Sequence, residues 1–481
     1  MIAPSEHVLS QQFAIIGGGI TGLAAALQLE RRMPQSKITL IESSDRLGGV
    51  LRTRLDRGFL IEQSADMFTA ESGIMLDLCR AMGAEQELIK TSSTGRRAFV
   101  ARGNRLYPVP AGFSMMTPNR MDSILESEIL EPAARLRLLA ERWVPRRNDD
   151  TDESLQSFAV RRFGQQAFER LIQPLISGIY SADPQKLSML AALGRFVDLE
   201  REHGSLILAA KSANKTGSSE DGSSGARYGM FLAMKNGMQS LIERMSNHLN
   251  QTQIVLNAKI GSVTPGGHGG WRIQAETADQ SLPQTFDGLI LATRADVTGK
   301  MLALMDPGLS RQLSRIECAS MAIVVLGLDA KQIPRAPNCF GFVVPEIENR
   351  HLVACSFASN KFAGRAPRGK VLLRCFIGGS QHADRVDLDD RQLVEMARQD
   401  LAELIGLVGE PDYQQVIRWR NCMPQYHVGH LDRLASLENG MAAHPAMEMA
   451  GNSYRGVGIP VCVASGQQAA IRLADQAHST N

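Results

Sequence analysis

The chain of 481 residues is 44% hydrophobic and 21% charged, and its formal net charge is +2. Its length exceeds that of one ordinary domain, so we expect the core to be divided between two or three domains. The small net charge excludes a chain-wide electrostatic attraction to nucleic acid.

The N-terminal residues lack the charged start and long apolar run of a signal peptide. The longest apolar run, at 321–328, is too short to span a bilayer. Seven cysteines are spread along the chain without a Cys-x-x-Cys pair, a pattern that favours reduced thiols over disulfides. We therefore expect a cytoplasmic protein in which any redox chemistry depends on a cofactor.

Residues 13–32 predict a short apolar strand, a glycine turn and a helix. The glycines fit the pattern G-x-G-x-x-G. The first glycine permits a tight turn, the second lets a pyrophosphate approach the helix N-terminus, and the third lets helix and strand pack closely. The expected dinucleotide-binding residues are Gly17, Gly19, Ile20, Thr21 and Gly22.

A second strand is predicted at 37–42, and it ends in an acidic residue, Glu42, 20 positions after Gly22. A carboxylate at this spacing can bind both ribose hydroxyls of an adenosine. We prefer this interpretation to the alternative, a surface acid that closes a strand.

The stretch after Glu42 adds groups suited to a second phosphate. Arg46 brings a guanidinium, the Gly48-Gly49 pair brings two exposed backbone N–H groups, and Ser43 is assigned to the same set. Together with the glycine motif, this stretch resembles the N-terminal part of the FAD site in the flavin-containing amine oxidase superfamily. The resemblance implies FAD as the cofactor. It also implies an α/β fold with a discontinuous Rossmann-like FAD-binding domain, a β-rich substrate domain and a helical insertion.

The middle of the chain supplies further strands of the implied FAD domain. Residues 253–263 predict a pair of strands, 271–277 a strand and 286–295 a buried parallel strand. The resemblance implies that the backbone of Ile260 meets the adenine. The glycine-rich run at 266–270 precedes a strand rather than a helix, so we expect a turn there and no second dinucleotide site. Without a nicotinamide site, the reduced flavin would pass its electrons to O2 or another external acceptor.

Residues 450–474 predict a strand, a glycine-rich loop and a helix that begins near Ser465 or Gly466. Backbone N–H groups of this loop are expected to face the flavin ring, with a helix N-terminus toward its polar edge. The competing interpretation is a generic loop before a terminal helix. The expected flavin contacts are Gly451, Val457, Gly458 and Ile459.

Four stretches, at 105–110, 172–193, 234–245 and 419–430, resemble segments of the protoporphyrinogen oxidase family. The resemblance implies FAD-dependent oxidation of a porphyrinogen to the porphyrin in haem biosynthesis, with O2 as acceptor and H2O2 as product. Protoporphyrinogen IX and coproporphyrinogen III both stay open as substrates. No side chain stands out as an acid or base, so we expect hydride transfer without a catalytic residue.

The chain departs from the pattern of these families in two places. In the segment 58–68, Ser64 and Ala65 stand where glycine and proline are common, and near the C-terminus Val461 stands where many relatives have aspartate.

The same resemblance implies which residues line the substrate slot. Arg97 matches an arginine that contacts a propionate, and Arg96 is its close competitor. For the apolar members, ordinary core packing is the competing interpretation. The expected substrate-binding residues are Arg97, Gly178, Phe340, Gly341, Val343 and Phe376.

The expected domains are discontinuous. They are an FAD-binding domain (10–95, 229–299 and 441–476), a substrate-binding domain (96–110 and 300–440) and a helical insertion (111–228) with a flexible stretch at 212–227. Part of the insertion mixes arginines with apolar residues, as an interfacial amphipathic helix does, and the family uses this region for peripheral membrane contact. Solvated arginines over a buried helix are the alternative. The residues concerned are Arg135, Leu136, Arg137, Leu138, Leu139, Arg142, Trp143, Val144, Arg146 and Arg147.

Cys422, His427 and His430 lie within nine positions of one another, which raises the question of a metal site. A structural zinc site needs four ligands, and this stretch lacks a fourth. We therefore expect a rigid loop near the flavin and no metal.

The expected partners are the porphyrinogen, O2, a membrane surface, neighbouring enzymes of the haem pathway and a second copy of the chain in a homodimer, without nucleic acid. Two alternatives remain open. One is a flavin amine oxidase or carotenoid desaturase on the same fold. The other is a non-catalytic, FAD-stabilised protein that carries tetrapyrrole, which would bind flavin without turnover.

Overall fold

Residues 11–215, 230–267, 270–276 and 284–479 are described by the structure, a computed structural model. The first elements are β1 (Gln12–Ile16), α1 (Ile20–Arg32), β2 (Lys37–Ile41), β3 (Thr53–Asp56), β4 (Phe59–Glu62), β5 (Phe68–Thr69), α2 (Ile74–Ala81), β6 (Leu88–Lys90), β7 (Ala98–Arg102) and β8 (Arg105–Pro108). The next are β9 (Phe113–Ser114), β10 (Thr117–Pro118), α3 (Met121–Leu125), α4 (Pro132–Leu139), α5 (Leu155–Phe163), α6 (Gln165–Ala167), α7 (Gln173–Tyr180), α8 (Met189–His203) and α9 (Leu206–Lys215).

The second half of the chain begins with β11 (Phe231–Met234), α10 (Met238–Asn247), β12 (Thr252–Val255), β13 (Ile260–Pro265), β14 (Trp271–Ala275), β15 (Thr285–Phe286), β16 (Gly288–Leu291), α11 (Ala295–Leu302) and α12 (Pro307–Ser314). It ends with β17 (Cys318–Asp329), β18 (Gly341–Val343), β19 (Ala354–Phe357), α13 (Ala358–Lys361), β20 (Lys370–Gly378), α14 (Asp390–Ile405), β21 (Tyr413–Pro424), α15 (His430–Met441), β22 (Met447–Met449) and α16 (Ile459–Ser479).

Strands from distant parts of the chain meet in one parallel sheet, in the order β12-β2-β1-β16-β22. Alternate residues of β1 enter two different cores. Phe13 and Ile15 pack with α1 and α16, whereas Ala14 and Ile16 pack with β13, β14 and α11. A parallel sheet covered on both faces is the Rossmann-like arrangement predicted from the sequence.

Helices α1 and α16 cross in close contact beside the first glycine turn. A Cβ on Gly466 would lie 2.1 Å from the carbonyl oxygen of Thr21, so a side chain at this position would prevent the crossing. Helix α16 begins at Ile459, and the predicted start near Ser465 or Gly466 is therefore wrong. Pro460 lies in its first turn, where a missing N–H leaves no helical hydrogen bond unmade.

A second sheet has seven strands in the order β21-β17-β20-β19-β18-β7-β8. One face packs on α14, through residues such as Leu326 and Leu401. The other face packs through Ile323 against Phe59 and Ile61 of β4. One side of this β-rich unit is therefore covered by its own helix, and the other is turned toward the N-terminal part of the chain.

Most of the strand predictions in the middle of the chain are confirmed. Strand β14 covers 271–275 of the predicted 271–277, of which 277 lies outside the described residues. Strand β16 covers only 288–291 of the predicted 286–295, and it is parallel to its neighbours. Strands β13 and β14 pair from Pro265 and Trp271, as the turn predicted at 266–270 requires, and 268–269 lie outside the described residues. The segment 253–263 contains two strands, but β12 and β13 belong to different sheets, so their predicted pairing is wrong.

The insertion is mainly helical, from α3 to α9, and has its own core that includes Phe158, Phe163 and Leu171. Of the stretch predicted to be flexible, 212–215 belong to α9, and 216–227 lie outside the described residues. The fold class is thus the predicted α/β class, while the exact domain boundaries stay a prediction.

Candidate functional site

The first glycine turn forms a cradle that is open only at its middle glycine. The backbone of Gly17 has a φ of +113°, and a Cβ there would lie 2.5 Å from the carbonyl oxygen of Ala292. A Cβ on Gly22 would lie 1.9 Å from the oxygen of Gly17. A Cβ on Gly19 would meet nothing within 4 Å. Space for a phosphate therefore exists where the motif predicts it, at the N-terminus of α1, which begins with Ile20 and Thr21.

Glu42 follows the last residue of β2 and turns its carboxylate back onto the cradle. Its Oε2 accepts from the N–H of Gly18 at 2.7 Å, and its Oε1 accepts from the N–H and the hydroxyl of Ser44, each at 2.8 Å, and from the Ser43 hydroxyl at 3.2 Å. Oε2 keeps a lone pair for a ribose hydroxyl. The Glu42 carbonyl accepts from the N–H of Ala258 at 2.9 Å, which brings the chain leading to Ile260 close to the same carboxylate.

The Gly48-Gly49 pair lies against the cradle. Gly48 donates its N–H to the Gly18 oxygen at 2.8 Å, and a Cβ on Gly49 would be 3.4 Å from the Cα of Gly19. Arg46 donates to the carbonyl oxygens of Leu47 (2.9 Å), Leu51 (3.1 Å) and Gly49 (2.5 Å). Its guanidinium thus holds this loop in shape, and a direct phosphate contact by Arg46 stays a prediction.

The C-terminal loop reaches the same region through α16. Gly451 has a φ of +132° and donates its N–H to the hydroxyl of Ser465 at 3.0 Å. Val457 and Gly458 immediately precede the first residue of α16, Ile459. The free N–H groups of a helix N-terminus therefore follow directly after the positions predicted to meet the flavin.

The stretch with Cys422, His427 and His430 supports this loop. Tyr426 donates its hydroxyl to the carbonyl of Asn452, the Nε2 of His430 lies 2.7 Å from the carbonyl oxygen of Tyr454, and the Tyr426 and His430 rings stack at 4.4 Å. In the part of the chain that the structure describes, no three His, Cys, Asp or Glu side chains are grouped as for a metal ion. Burial lowers the pKa of His430, which favours the neutral ring.

The predicted substrate residues gather on one region of the seven-stranded sheet. Val343, Ala354 and Phe376 lie side by side on β18, β19 and β20. A Cβ on Gly178 of α7 would lie 3.5 Å from a methyl of Val343. Together these residues form a half-buried apolar wall with a helix close against one end.

Arg97 and Phe340 extend this wall toward β7. The N–H of Phe340 donates to the Arg97 carbonyl at 3.1 Å, and Gly341 pairs with Ala98, which follows Arg97. The Arg97 side chain is exposed, whereas Arg96 donates to the carbonyls of Ser92 and Thr91. Phe340 is 2% exposed, which fits core packing better than a substrate contact.

Sequence reasoning missed a buried group formed by Asp66, Lys361 and Arg374, which lies beside this wall. The only signal for it was the position of Asp66 in the recognised segment 58–68, since its partners lie about 300 residues further on.

Comparison with known proteins agrees with this geometry. The family model described as flavin containing amine oxidoreductase matches residues 20–474. The coproporphyrinogen III oxidase of Bacillus subtilis is 32% identical over 95% of this chain and 96% of that protein. The mitochondrial protoporphyrinogen oxidase of Nicotiana tabacum is 26% identical over 98% of this chain and 96% of that protein.

Among solved structures, a protein from Exiguobacterium sp. 255-15, provisionally named a protoporphyrinogen oxidase, has a TM-score of 0.86 at 29% identity, covering 97% of this chain and 99% of that one. The match of the family model across nearly the whole chain agrees with the open glycine cradle and the carboxylate beside it. The chain therefore belongs to the flavin-containing amine oxidoreductase family and is an FAD-dependent oxidoreductase.

Proposed function

We propose that this protein oxidises a porphyrinogen to the porphyrin in haem biosynthesis, with coproporphyrinogen III as its substrate. The observation that carries the proposal is its full-length similarity to proteins named coproporphyrinogen III oxidase, at 32% identity for Bacillus subtilis and 30% for Staphylococcus aureus. The plant proteins named protoporphyrinogen oxidase are 26–27% identical. This difference favours the substrate with four propionates.

The apolar wall suits a large macrocycle. Val343 and Phe376 are half-buried, and a Cβ on Gly178 would lie 3.5 Å from a methyl of Val343, so α7 borders the wall at that end. Such a surface excludes water from the macrocycle. The exposed guanidinium of Arg97, at the end of the wall, is placed to pair with a propionate. These contacts are the ones we assign to the substrate.

The bound FAD would supply a two-electron acceptor, so the six-electron oxidation would take three rounds. The role of the protein's own residues is to bind the ring, to orient it beside that acceptor and to exclude water. We infer that no side-chain base takes part, and that O2 receives the electrons as H2O2. A polar residue of the wall whose replacement abolishes turnover without loss of FAD would contradict the first inference.

The direct test follows porphyrin fluorescence in air with the purified yellow protein and each porphyrinogen separately, together with H2O2 formation. We expect coproporphyrinogen III to be oxidised well above its autoxidation rate and faster than protoporphyrinogen IX. Retained FAD without a fluorescence rise from either substrate would contradict the proposal and favour a tetrapyrrole carrier.

We also propose that the insertion contacts a membrane surface. Leu136 and Trp143 are 64% and 69% exposed, and the Arg142 guanidinium lies 3.9 Å from the centre of the Trp143 ring. The segment is not one amphipathic helix, because α4 ends at Leu139 and Leu138 is fully buried. The proposed contact surface is therefore smaller than the amphipathic helix that the sequence implied, and it centres on Leu136 and Trp143.

None of the described helices is long and apolar enough to cross a bilayer. Cosedimentation with anionic liposomes should fall strongly for Leu136→Ser/Trp143→Ser, while FAD content stays the same. Equal binding of the variant and the parent protein would contradict this contact.

A further inference from the structure

A buried group of charged side chains joins the loop between β4 and β5 to the seven-stranded sheet and has no role in the account above. Asp66 lies between β4 and β5, Lys361 is the last residue of α13, and Arg374 lies in β20; these residues are called the Asp66 cluster below. The Nζ of Lys361 is 2.8 Å from Oδ2 of Asp66, and Nη1 of Arg374 is 3.3 Å from the same oxygen. The side chains of Lys361, Arg374 and Asp66 are 7%, 3% and 11% exposed.

The Asp66 cluster has two cationic groups and one acid. Burial alone would raise the pKa of Asp66, but the charges of Lys361 and Arg374 lower it to about 2, so the carboxylate is ionised at neutral pH. Glu62 and Arg365 nearby add one acid and one base, and burial raises the pKa of Glu62. The neighbourhood therefore carries at least one excess positive charge. Salt screens a buried charge much less than an exposed one.

This excess charge lies on the same sheet face as the proposed substrate wall. Arg374 is two residues before Phe376 on β20, so both side chains point to one face. The Arg374 guanidinium is 5.4 Å from the centre of the Phe376 ring. Across the sheet, Arg374 pairs with Ser356, and Ser356 pairs with Gly341. Two strand spacings separate Arg374 from Gly341, which is about 10 Å.

The ion pairs of the Asp66 cluster tie the loop after β4 to the seven-stranded sheet, but they do not require an excess positive charge. The Nε of Arg374 and the hydroxyl of Ser356 have no hydrogen-bond partner among the described residues. The Nη2 of Arg374 donates to the carbonyl of Ser64, and this bond holds the loop that crosses the sheet face. Replacing a buried ion group with well-packed apolar side chains is often neutral or stabilising. An excess positive charge in this buried group is therefore not explained by stability alone.

We propose that the excess positive charge of the Asp66 cluster is a specificity determinant, which acts through the substrate wall to favour a ring with many carboxylates. The inference rests on the proposed function, because the ligand is taken to be a porphyrinogen. A tetracarboxylate gains more from this field than a dicarboxylate does, since each added carboxylate interacts with the same charge. The Asp66 cluster thus acts by its field and touches neither substrate nor cofactor directly.

A charge series tests this proposal through the binding of the porphyrin products, measured by fluorescence quenching on the FAD-loaded protein. Lys361→Met removes the excess charge, whereas Asp66→Asn/Lys361→Met removes an ion pair and keeps the excess charge. The single variant should bind coproporphyrin III about tenfold more weakly, the effect of one unit charge at this distance in a partly polar medium. The double variant should bind it as the parent does. Protoporphyrin IX should lose less in the single variant.

Two further variants complete the design. Lys37→Met removes an equal charge from an exposed position at the start of β2 and should change neither affinity. Asp66→Asn/Lys361→Met/Arg374→Leu is neutral and leaves no charge unpaired, so it replaces the single variant if that protein does not retain FAD. It should show the same weak binding of coproporphyrin III.

An equal loss of coproporphyrin III affinity in the neutral triple variant and in the double variant that keeps the excess charge would overturn the inference. Pairing and packing would then matter rather than net charge. Equal losses for the two porphyrins would also overturn it. A parent protein that binds neither porphyrin would contradict the proposed function itself, whereas the other failures leave that function standing.

Discussion

At the scale of single residues, the glycines of the cradle do different physical work. Gly22 has no room for a side chain because the oxygen of Gly17 occupies the place of its Cβ, whereas Gly19 faces open space. A glycine at position 22 is thus required for folding, whereas a glycine at position 19 is required only if a ligand approaches the backbone there. The G-x-G-x-x-G pattern predicted both roles, because they depend on contacts within one turn.

Alanine at position 22 should therefore lower the stability of the apoprotein, whereas alanine at position 19 should lower the affinity for FAD. Gly22→Ala forces the helix away from the turn and should cost about 1–3 kcal/mol of unfolding free energy even in the apoprotein. Gly19→Ala should leave apoprotein stability nearly unchanged, since its φ of −70° suits any residue, but should weaken FAD binding. Thermal melts of the apoprotein and FAD titrations measure the two effects. Equal loss of apoprotein stability in both variants would contradict the assigned roles.

Glu42 should contribute to FAD affinity rather than to stability alone. In Glu42→Gln, the amide N–H₂ group would face N–H or O–H groups of Gly18 or Ser44 that donate to the carboxylate in the parent protein. The substitution also removes the negative charge that would accept from the ribose hydroxyls. We expect FAD binding about 10- to 100-fold weaker, because a hydrogen bond to a charged group contributes about 1.5–3 kcal/mol. The exposed neighbour gives a matched control, since Asp45→Asn should bind FAD as the parent does. The same affinity in both variants would remove Glu42 from the site.

At the scale of elements, the support between the start of α15 and the C-terminal loop was not predictable from the sequence. The density of Cys422, His427 and His430 raised the question of a metal site and led to the prediction of a rigid loop, but not to the contact of His430 with the carbonyl of Tyr454. The early start of α16 was missed because a glycine-rich stretch with a proline is typical of a loop. Pro460 could have indicated the first turn of a helix, where proline is favoured.

This support should make the stability of the protein depend on pH. Burial lowers the pKa of His430 in the folded state, so the unfolded state binds a proton at higher pH. The contribution of His430 is complete above its unfolded pKa of about 6.5 and is lost as the pH falls through that value toward the lower folded pKa. His430→Asn should therefore be less stable than the parent by about 1–2 kcal/mol at pH 7.5, and the difference should narrow toward pH 5. Denaturant unfolding at both pH values measures it, and a constant difference would contradict a neutral, buried His430.

At the scale of the whole molecule, the predicted site draws on two sheets, the parallel sheet beside the glycine cradle and the seven-stranded sheet that carries the wall residues. The cradle, the carboxylate of Glu42 and the buried strand β16 were predictable because each depends on neighbours within about one strand, turn and helix. The Asp66 cluster was not predictable, since its ion pairs join residues 295 positions apart and depend on how the β-rich sheet faces β4. The wall residues came from the resemblance alone; the structure places Val343 and Phe376 on one sheet face with Gly178 near Val343, and it buries Phe340.

The central claim is that the cradle binds FAD and the wall binds a porphyrinogen, whose electrons the flavin would accept. Anaerobic mixing of the FAD-loaded protein with coproporphyrinogen III, followed by the absorbance of oxidised flavin, tests it in one step without O2. The account predicts that the flavin is bleached at a rate that saturates with substrate, and that porphyrin absorbance rises in step. Flavin that stays oxidised while coproporphyrinogen III is bound would contradict it.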